Sequence, residues 1–159
     1  MYKKIIVPLD GSELAECVLP HVENIAKGCE STEIIFLYVI IPVENLYNFT
    51  YSAREKATEY LEPKVKMAQD KGLNVQYRIL VGDPDQSVTD YAVAHEGDAA
   101  GAITTYATRE GADLIIMATH GRSGISRLAH GSTADKVLRS SCIPVLMVRA
   151  PGCVPGIKS

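Results

Sequence analysis

Glycines and hydroxyl side chains are concentrated near the end of the chain's fourth apolar run. Gly121 follows this buried run, and Gly131 directly precedes Ser132 and Thr133 at the start of a helical pattern. Glycine lets a backbone come close to a ligand, and the free amides and hydroxyls at the start of a helix suit a phosphate group. We therefore expect this segment to bind a phosphorylated ligand, with a nucleotide as the leading candidate.

Better-known glycine motifs do not fit this segment. No Gly-Lys-Ser/Thr closes the loop, as a Walker A loop requires. A dinucleotide-binding Gly-x-Gly-x-x-Gly would follow the first strand, where this chain has Asp10-Gly11-Ser12. The stretch Gly121-Arg-Ser-Gly124-Ile125 differs from a nucleophile elbow because isoleucine occupies the position of the second glycine. These differences argue against a P-loop NTPase, a dehydrogenase and a serine hydrolase.

Five apolar runs alternate with helical patterns along the chain. The predicted strands are Ile5–Leu9, Glu33–Ile41, Val75–Val81, Asp113–Ala118 and Pro144–Arg149. Continuous apolar strands separated by helices are typical of a parallel sheet that is covered on both faces. We therefore predict one doubly wound α/β domain over residues 1–150, followed by a flexible tail over residues 151–159.

Helix boundaries are predicted from proline, glycine and capping residues. The first helix should end at Gly28 and should bend at Pro20, which falls inside its apolar pattern. Residues 42–51 are predicted to form an exposed loop. A capping-box pattern at Ser52-Ala-Arg-Glu55 should then open a helix that ends at Gly72.

Segment 84–112 is longer than one crossover helix needs and contains an internal sequence repeat. Val88-Thr-Asp-Tyr-Ala92 is similar to Ile103-Thr-Thr-Tyr-Ala107. A tandem duplication of part of a helix explains this similarity. We expect two short helices hinged at Gly97, with one long helix weakened at that glycine as the alternative.

Composition excludes several kinds of partner. The formal net charge of −3 and the pI near 5.8 provide no electrostatic footprint for nucleic acid. The four cysteines form no C-x-x-C pair, and the four histidines have no metal-ligand spacing. The longest apolar run, Ile34–Val43, is too short to span a bilayer. We therefore predict a cytoplasmic protein with no protein-held metal, no nucleic-acid partner and no membrane partner.

A longer glycine pattern resembles the nucleotide-binding signature of the universal stress protein family, Gly-x2-Gly-x9-Gly-Ser/Thr. Here the signature reads Ala118-Thr-His-Gly121, nine residues, and Gly131-Ser132. The resemblance extends over nearly the whole chain, through Ile5–Ser12, Tyr38-Val39, Gly82-Asp-Pro84, Ala112–Ala118 and Pro144–Arg149. Ala118 replaces the first glycine of the signature. A methyl group is small and alanine tolerates ordinary strand geometry, so we predict that the loop still binds nucleotide.

The resemblance implies the strand order 3-2-1-4-5, which places the ends of strands one and four at the topological switch point where ligands bind. Asp10 is expected to accept hydrogen bonds from the ribose or the adenine edge, with helix capping as its alternative role. Val39 and Met117 are expected to wall the base, with core packing as the alternative. The complete predicted binding set is Pro8, Leu9, Asp10, Val39, Met117, Ala118, His120, Gly121, Arg122, Gly131, Ser132 and Thr133.

Within that set, backbone amides and hydroxyls of Gly121, Gly131, Ser132 and Thr133 are expected to cradle the phosphates. Arg122 is expected to pair with a terminal phosphate, and His120 lies within the same loop. ATP is the predicted ligand, with Mg²⁺ held by its phosphates and with AMP or ADP as alternatives. No catalytic residue is predicted.

The resemblance also implies a homodimer in which the fifth strands, Pro144–Arg149, pair edge to edge. An apolar edge strand would otherwise be an aggregation hazard. The expected function is that of a stress-response sensor or regulator that binds ATP and acts through partner proteins, with little or no turnover. Two alternatives stay open: a dimeric interaction protein that binds no nucleotide, and a slow ATPase or phosphoryl-transfer enzyme.

Overall fold

A computed structural model describes residues 1–29, 32–41, 47–81, 99–119 and 132–149. The strands in these ranges are β1 (Lys4–Pro8), β2 (Glu33–Ile40), β3 (Asn74–Val81), β4 (Leu114–Ala118) and β5 (Val145–Val148). The helices are α1 (Glu13–Glu16), α2 (Leu19–Lys27), α3 (Tyr47–Asp70), α4 (Ala99–Arg109) and α5 (Ser132–Ser140).

The strands form one parallel sheet in the order β3-β2-β1-β4-β5, which confirms the predicted fold. Ile6 of β1 lies opposite Ile35 of β2 on one side and Ile115 of β4 on the other. Since β1 is flanked by β2 and β4, the strand order reverses at its end. We call the side of the sheet where β1, β2 and β4 end the carboxyl edge.

Each face of the sheet has its own hydrophobic core. Ile5 and Val7 of β1 pack with Leu61 of α3 on the face covered by α1, α2 and α3, here called the α1–α3 face. Ile6 packs with Val137 of α5 on the opposite, α4–α5 face. Successive strand residues point to opposite faces, so two covered faces explain why the strands are apolar throughout.

The first predicted helix is instead two helices. α1 ends at Glu16 and α2 begins at Leu19, with Pro20 in the first turn of α2. Proline is favourable there because the first-turn N–H groups have no partner within the helix, whereas an interior proline would remove a hydrogen bond. The predicted end at Gly28 is confirmed, since Gly28 caps α2.

The predicted loop over residues 42–51 and the capping role of Ser52 are wrong from residue 47 onward. α3 begins at Tyr47 and runs through Ser52 and Pro63 to Asp70. Packing of its buried side chains outweighs both the local capping signal and the hydrogen bond lost at Pro63. The turn after α3 is as predicted, because Gly72 has a φ of +81°, which glycine adopts readily.

Only the second copy of the repeat in segment 84–112, Ile103–Ala107, lies within the described residues. Ile103 and Tyr106 are buried in α4, on the α4–α5 face. The first copy, Val88–Ala92, and the predicted hinge at Gly97 fall outside the described residues. The duplication therefore stays a prediction.

Asp113, which precedes β4, binds the backbone at the start of the chain through hydrogen bonds. Its Oδ2 accepts hydrogen bonds from the backbone N–H groups of Lys3 and Lys4, each at 2.8 Å. These two bonds lower the pKa of the Asp113 carboxyl below its ordinary value. The charged carboxylate therefore stabilises the folded state above the unfolded-state pKa, and this stabilisation is lost as the pH falls through the folded-state value.

Asp113→Ala is accordingly expected to lower the free energy of unfolding at pH 7. The deficit relative to the wild type should shrink as the pH falls through the lowered pKa of Asp113, because the wild-type carboxyl then also loses its charge. Urea denaturation at several pH values measures this, with Glu59→Ala on the exposed side of α3 as the control. A deficit that does not change with pH would contradict the assignment.

Candidate functional site

Apolar side chains at the ends of β1, β2 and β4 lie on the α4–α5 face near the carboxyl edge, and we call the region between Val39 and Met117 the slot. Val39 of β2 and Met117 of β4 both belong to the core of this face. Pro8, at the end of β1 between them, faces the same way because it follows Ile6 by two residues. Pro8 is level with Leu37, two residues before Val39. Two strand spacings of about 4.8 Å and an offset of two residues along the strand therefore place Val39 and Met117 roughly 12 Å apart, with Pro8 on the strand between them. Pro8 and Val39 are only half-buried, which leaves them open to a ligand.

The N-terminus of α5 lies at the same edge and on the same face. A helix that connects two parallel strands runs back against them, so its N-terminus lies at their carboxyl ends. α5 begins at Ser132 and packs through Ala134 and Val137 onto the α4–α5 face. The free amides of its first turn carry a partial positive charge that favours an anion. The slot and the start of α5 therefore share one edge and one face of the sheet.

The electrostatics of the first turn of α5 also permit an anion. Asp135 lies in this turn, but its Oδ2 is 2.8 Å from Nε of Arg139, one turn further along. This pairing raises the pKa of the Arg139 guanidinium. Because the carboxylate has a cationic partner, its repulsion of a phosphate at Thr133 is reduced.

Asp10 lies in the turn that follows β1. Gly11 has a φ of +85°, and the chain turns back toward α1 there. Oδ1 of Asp10 accepts hydrogen bonds from the backbone N–H of Ser12 at 3.0 Å and from its hydroxyl at 2.6 Å. Ser12 is the N-cap of α1, since its Oγ accepts from the N–H of Ala15. Asp10 therefore supports the cap instead of capping the helix itself, and its carboxylate is held at the carboxyl edge.

Two predicted site residues point away from the slot. The side chains of Leu9 and Ala118 are buried in the core of the α1–α3 face. Ala118 is the last residue of β4 and lies opposite Val148 in regular strand pairing. The methyl group that replaces the signature glycine is therefore directed into that core and not toward Met117. Leu9 and Ala118 could therefore contact a ligand in the slot only through their backbone atoms.

Ala118→Gly, which restores the signature, is expected to leave nucleotide affinity within about twofold of the wild type, because the methyl lies outside the slot. It should lower the free energy of unfolding by about 0.5–1 kcal/mol, since glycine weakens a strand and loses buried contacts. Chemical denaturation and nucleotide titration measure the two effects. A large gain in affinity would show that the methyl obstructs the ligand.

Four residues of the predicted binding set lie outside the described ranges, and one buried residue near the site was not predicted. His120, Gly121, Arg122 and Gly131 lie outside the described residues, so their roles stay predictions. Thr119 was inside the quoted motif but was not chosen, although it is buried at the carboxyl edge.

Within the described ranges, no group of three or more His, Cys, Asp and Glu side chains is arranged to hold a metal ion. None of the helices in those ranges combines the length and apolar composition needed to cross a membrane.

Comparison with known proteins identifies the family. The profile of the Universal stress protein family matches residues 1–149. This chain belongs to the universal stress protein family. Universal stress protein MJ0531 of Methanocaldococcus jannaschii is 31% identical over 159 aligned positions, which cover 95% of this chain and 84% of that protein.

Solved structures of the family have the same fold. The structure of MJ0577, from M. jannaschii, superposes with a TM-score of 0.73 at 32% identity, covering 96% of this chain and 99% of that one. A universal stress protein in complex with cAMP has a TM-score of 0.58 at 22% identity, covering 94% and 98%. An Arabidopsis thaliana family protein with AMP bound has a TM-score of 0.57 at 16% identity, covering 94% and 93%. At these lower identities the likeness establishes the fold.

Proposed function

We propose that this universal stress protein binds an adenine nucleotide, with ATP as the preferred ligand, at the carboxyl edge. One observation carries the proposal: the slot between Val39 and Met117 shares an edge and a face with the N-terminus of α5. The base occupies the slot, Asp10 accepts hydrogen bonds from the ribose or the adenine edge, and Ser132 and Thr133 hold phosphate. The phosphates carry Mg²⁺ when it is present.

Two family structures support the choice of an adenine nucleotide. One is a complex with cAMP and the other has AMP bound, and both ligands contain adenine joined to a ribose. The slot in this chain supplies apolar walls for such a base. We expect affinity to rise with the number of phosphates, so that ATP binds more tightly than AMP, because the α5 N-terminus attracts negative charge.

We propose binding without efficient turnover. Asp10 is the carboxylate in the predicted binding set, and it already accepts two hydrogen bonds from Ser12. A carboxylate committed to a turn is poorly placed as a general base. The bound nucleotide then serves as a signal, and the protein acts as a cytoplasmic stress-response regulator through partner proteins.

A homodimer through β5 is the second part of the proposal. β5 and β3 are the two edges of the sheet in the described ranges. β3 carries the exposed side chains of Asn74 and Arg78, which discourage pairing, whereas β5 is Val-Leu-Met-Val with Leu146 exposed. An apolar edge of this kind favours a second copy of the strand as its partner.

Mass analysis of ligand that co-purifies with the full chain tests the nucleotide proposal. We expect an adenine nucleotide in the wild type and its loss from Gly131→Val. Absence of any retained nucleotide, together with no binding at millimolar concentration, would favour the dimeric interaction protein that binds none. Time-dependent conversion of added ATP to ADP that collapses in Asp10→Ala would favour a slow ATPase.

A further inference from the structure

Pairing of two β5 strands is too small a contact to hold a dimer by itself. β5 contributes four residues, Val145–Val148. A stable protein–protein interface buries about 800 Å² on each partner and involves roughly 20–30 residues a side. A dimer through β5 therefore needs further apolar side chains on the surfaces next to the strand.

An exposed apolar side chain lies on α5, the helix that leads into β5. Leu138 is 49% exposed, whereas Ala134 and Val137 of the same helix are buried against the sheet. Exposure alone does not mark an interface, because single apolar side chains are common on protein surfaces. The direction of Leu138 around the helix axis decides whether it can reach a partner of β5.

Leu138 points toward the β5 edge of the sheet. Successive residues of an α-helix are about 100° apart, so Leu138 lies about 70° to one side of the direction set by Ala134 and Val137. α5 joins the neighbouring parallel strands β4 and β5, and crossovers of this kind are right-handed. In that geometry the flank of α5 that carries Leu138 faces outward over β5, and the opposite flank faces α4. The exposure of Leu138 agrees with this, since within the described ranges no helix lies beyond α5 on that face.

Two copies paired through β5 bring their α5 helices side by side. A crossover helix packs back onto the strands that it connects, so α5 lies about half a strand spacing inside β5. With strands about 4.8 Å apart, two such helices related by a twofold axis stand roughly 10 Å apart. Packed helices are ordinarily separated by about 8–10 Å. The outward flanks of the two helices therefore meet, and both copies of Leu138 are removed from water.

We propose that Leu138 belongs to the interface between two copies of this chain, in which α5 packs against α5 of the second copy above the paired β5 strands. This inference rests on the proposed homodimer. Leu138 covers the paired strands on the α4–α5 face, and Leu146 covers them on the α1–α3 face. Contacts on both faces add the area that pairing of the short β5 strands lacks.

Leu138→Lys in the full chain tests the proposal, with Ser140→Lys as the matched control. Ser140 is exposed in the last turn of α5 and lies about 90° to the other side of the sheet direction, on the α4 flank. Sedimentation equilibrium measures the dissociation constant of each variant. We expect Leu138→Lys to raise this constant at least about tenfold, because both copies of the lysine would be buried in the contact. Ser140→Lys should change it less than about threefold.

Two further measurements separate an interface role of Leu138 from a merely structural one. Leu138→Met keeps an apolar side chain of similar volume and should leave the dissociation constant within about threefold of the wild type. At dilutions where every chain is monomeric, Leu138→Lys should unfold at the same urea concentration as the wild type. The residue is half-exposed in the monomer, and lysine favours helices.

The outcomes separate this inference from the homodimer itself. If the wild type dimerises and Leu146→Lys weakens the dimer, an unchanged dissociation constant in Leu138→Lys would overturn the inference alone. A wild-type chain that is monomeric at every concentration would overturn the homodimer and this inference together. So would dissociation by Leu138→Lys without any effect of Leu146→Lys, because the β5 strands would then not pair.

Discussion

Thr133→Glu is expected to weaken ATP binding by at least about tenfold while leaving the affinity for adenosine unchanged. Thr133 is half-buried in the first turn of α5, where the proposal places the phosphates. Two unit charges about 5 Å apart near a protein surface repel by roughly 1–3 kcal/mol, and ATP carries several charges. AMP, with fewer charges, should lose less affinity than ATP.

The same substitution should not harm the fold, which makes the result interpretable. A carboxylate in the first turn of a helix interacts favourably with the helix dipole, so the unfolding midpoint should stay constant or rise. Thr133→Gln, which is similar in size and uncharged, is the matched control and should retain most of the ATP affinity. Equal losses for ATP and adenosine, or no loss for either, would show that the phosphates do not lie at α5.

Leu146→Lys is expected to convert the proposed homodimer to a monomer without unfolding the chain. Leu146 is 37% exposed on β5, on the α1–α3 face at the edge of the sheet. Pairing of two β5 strands would bury both copies of the lysine. If each unpaired ammonium group costs at least about 1.4 kcal/mol, the dissociation constant should rise about 100-fold.

Sedimentation equilibrium across a range of protein concentrations measures this effect. Met67→Lys is the matched control because Met67 is 62% exposed on α3, far from the β5 edge, and should leave the dimer intact. The far-ultraviolet circular dichroism of both variants should equal that of the wild type. A wild-type chain that is monomeric at every concentration, or a Leu146→Lys dimer of unchanged affinity, would contradict pairing through β5.

The strands of this fold were predictable because both faces of the sheet are covered. Each strand is therefore apolar along its whole length, and turn residues such as Asp10 and Gly11 mark where β1 gives way to a loop. The start of α3 was not predictable in the same way. The capping pattern at Ser52 is a strong local signal, yet the helix begins at Tyr47. Local signals decide a helix boundary only where packing does not compete.

Candidate site residues that belong to a local sequence motif could be predicted from the sequence. The directions of their side chains, which depend on packing between strands and helices, could not. Val39 and Met117 were predicted from their positions in the motifs, and the structure adds that they share a face with the α5 N-terminus. The direction of the Ala118 methyl depends on strand alternation and on which helices cover each face, so the sequence left its effect open.

Equilibrium dialysis of labelled ATP against the full chain, with unlabelled ATP and adenosine as competitors, tests the central claim most directly. We predict saturable binding of one ATP per chain at submillimolar concentration, displaced by ATP at lower concentration than by adenosine because of the α5 N-terminus. No saturable binding at millimolar ATP would contradict the proposal that the carboxyl edge is a nucleotide site.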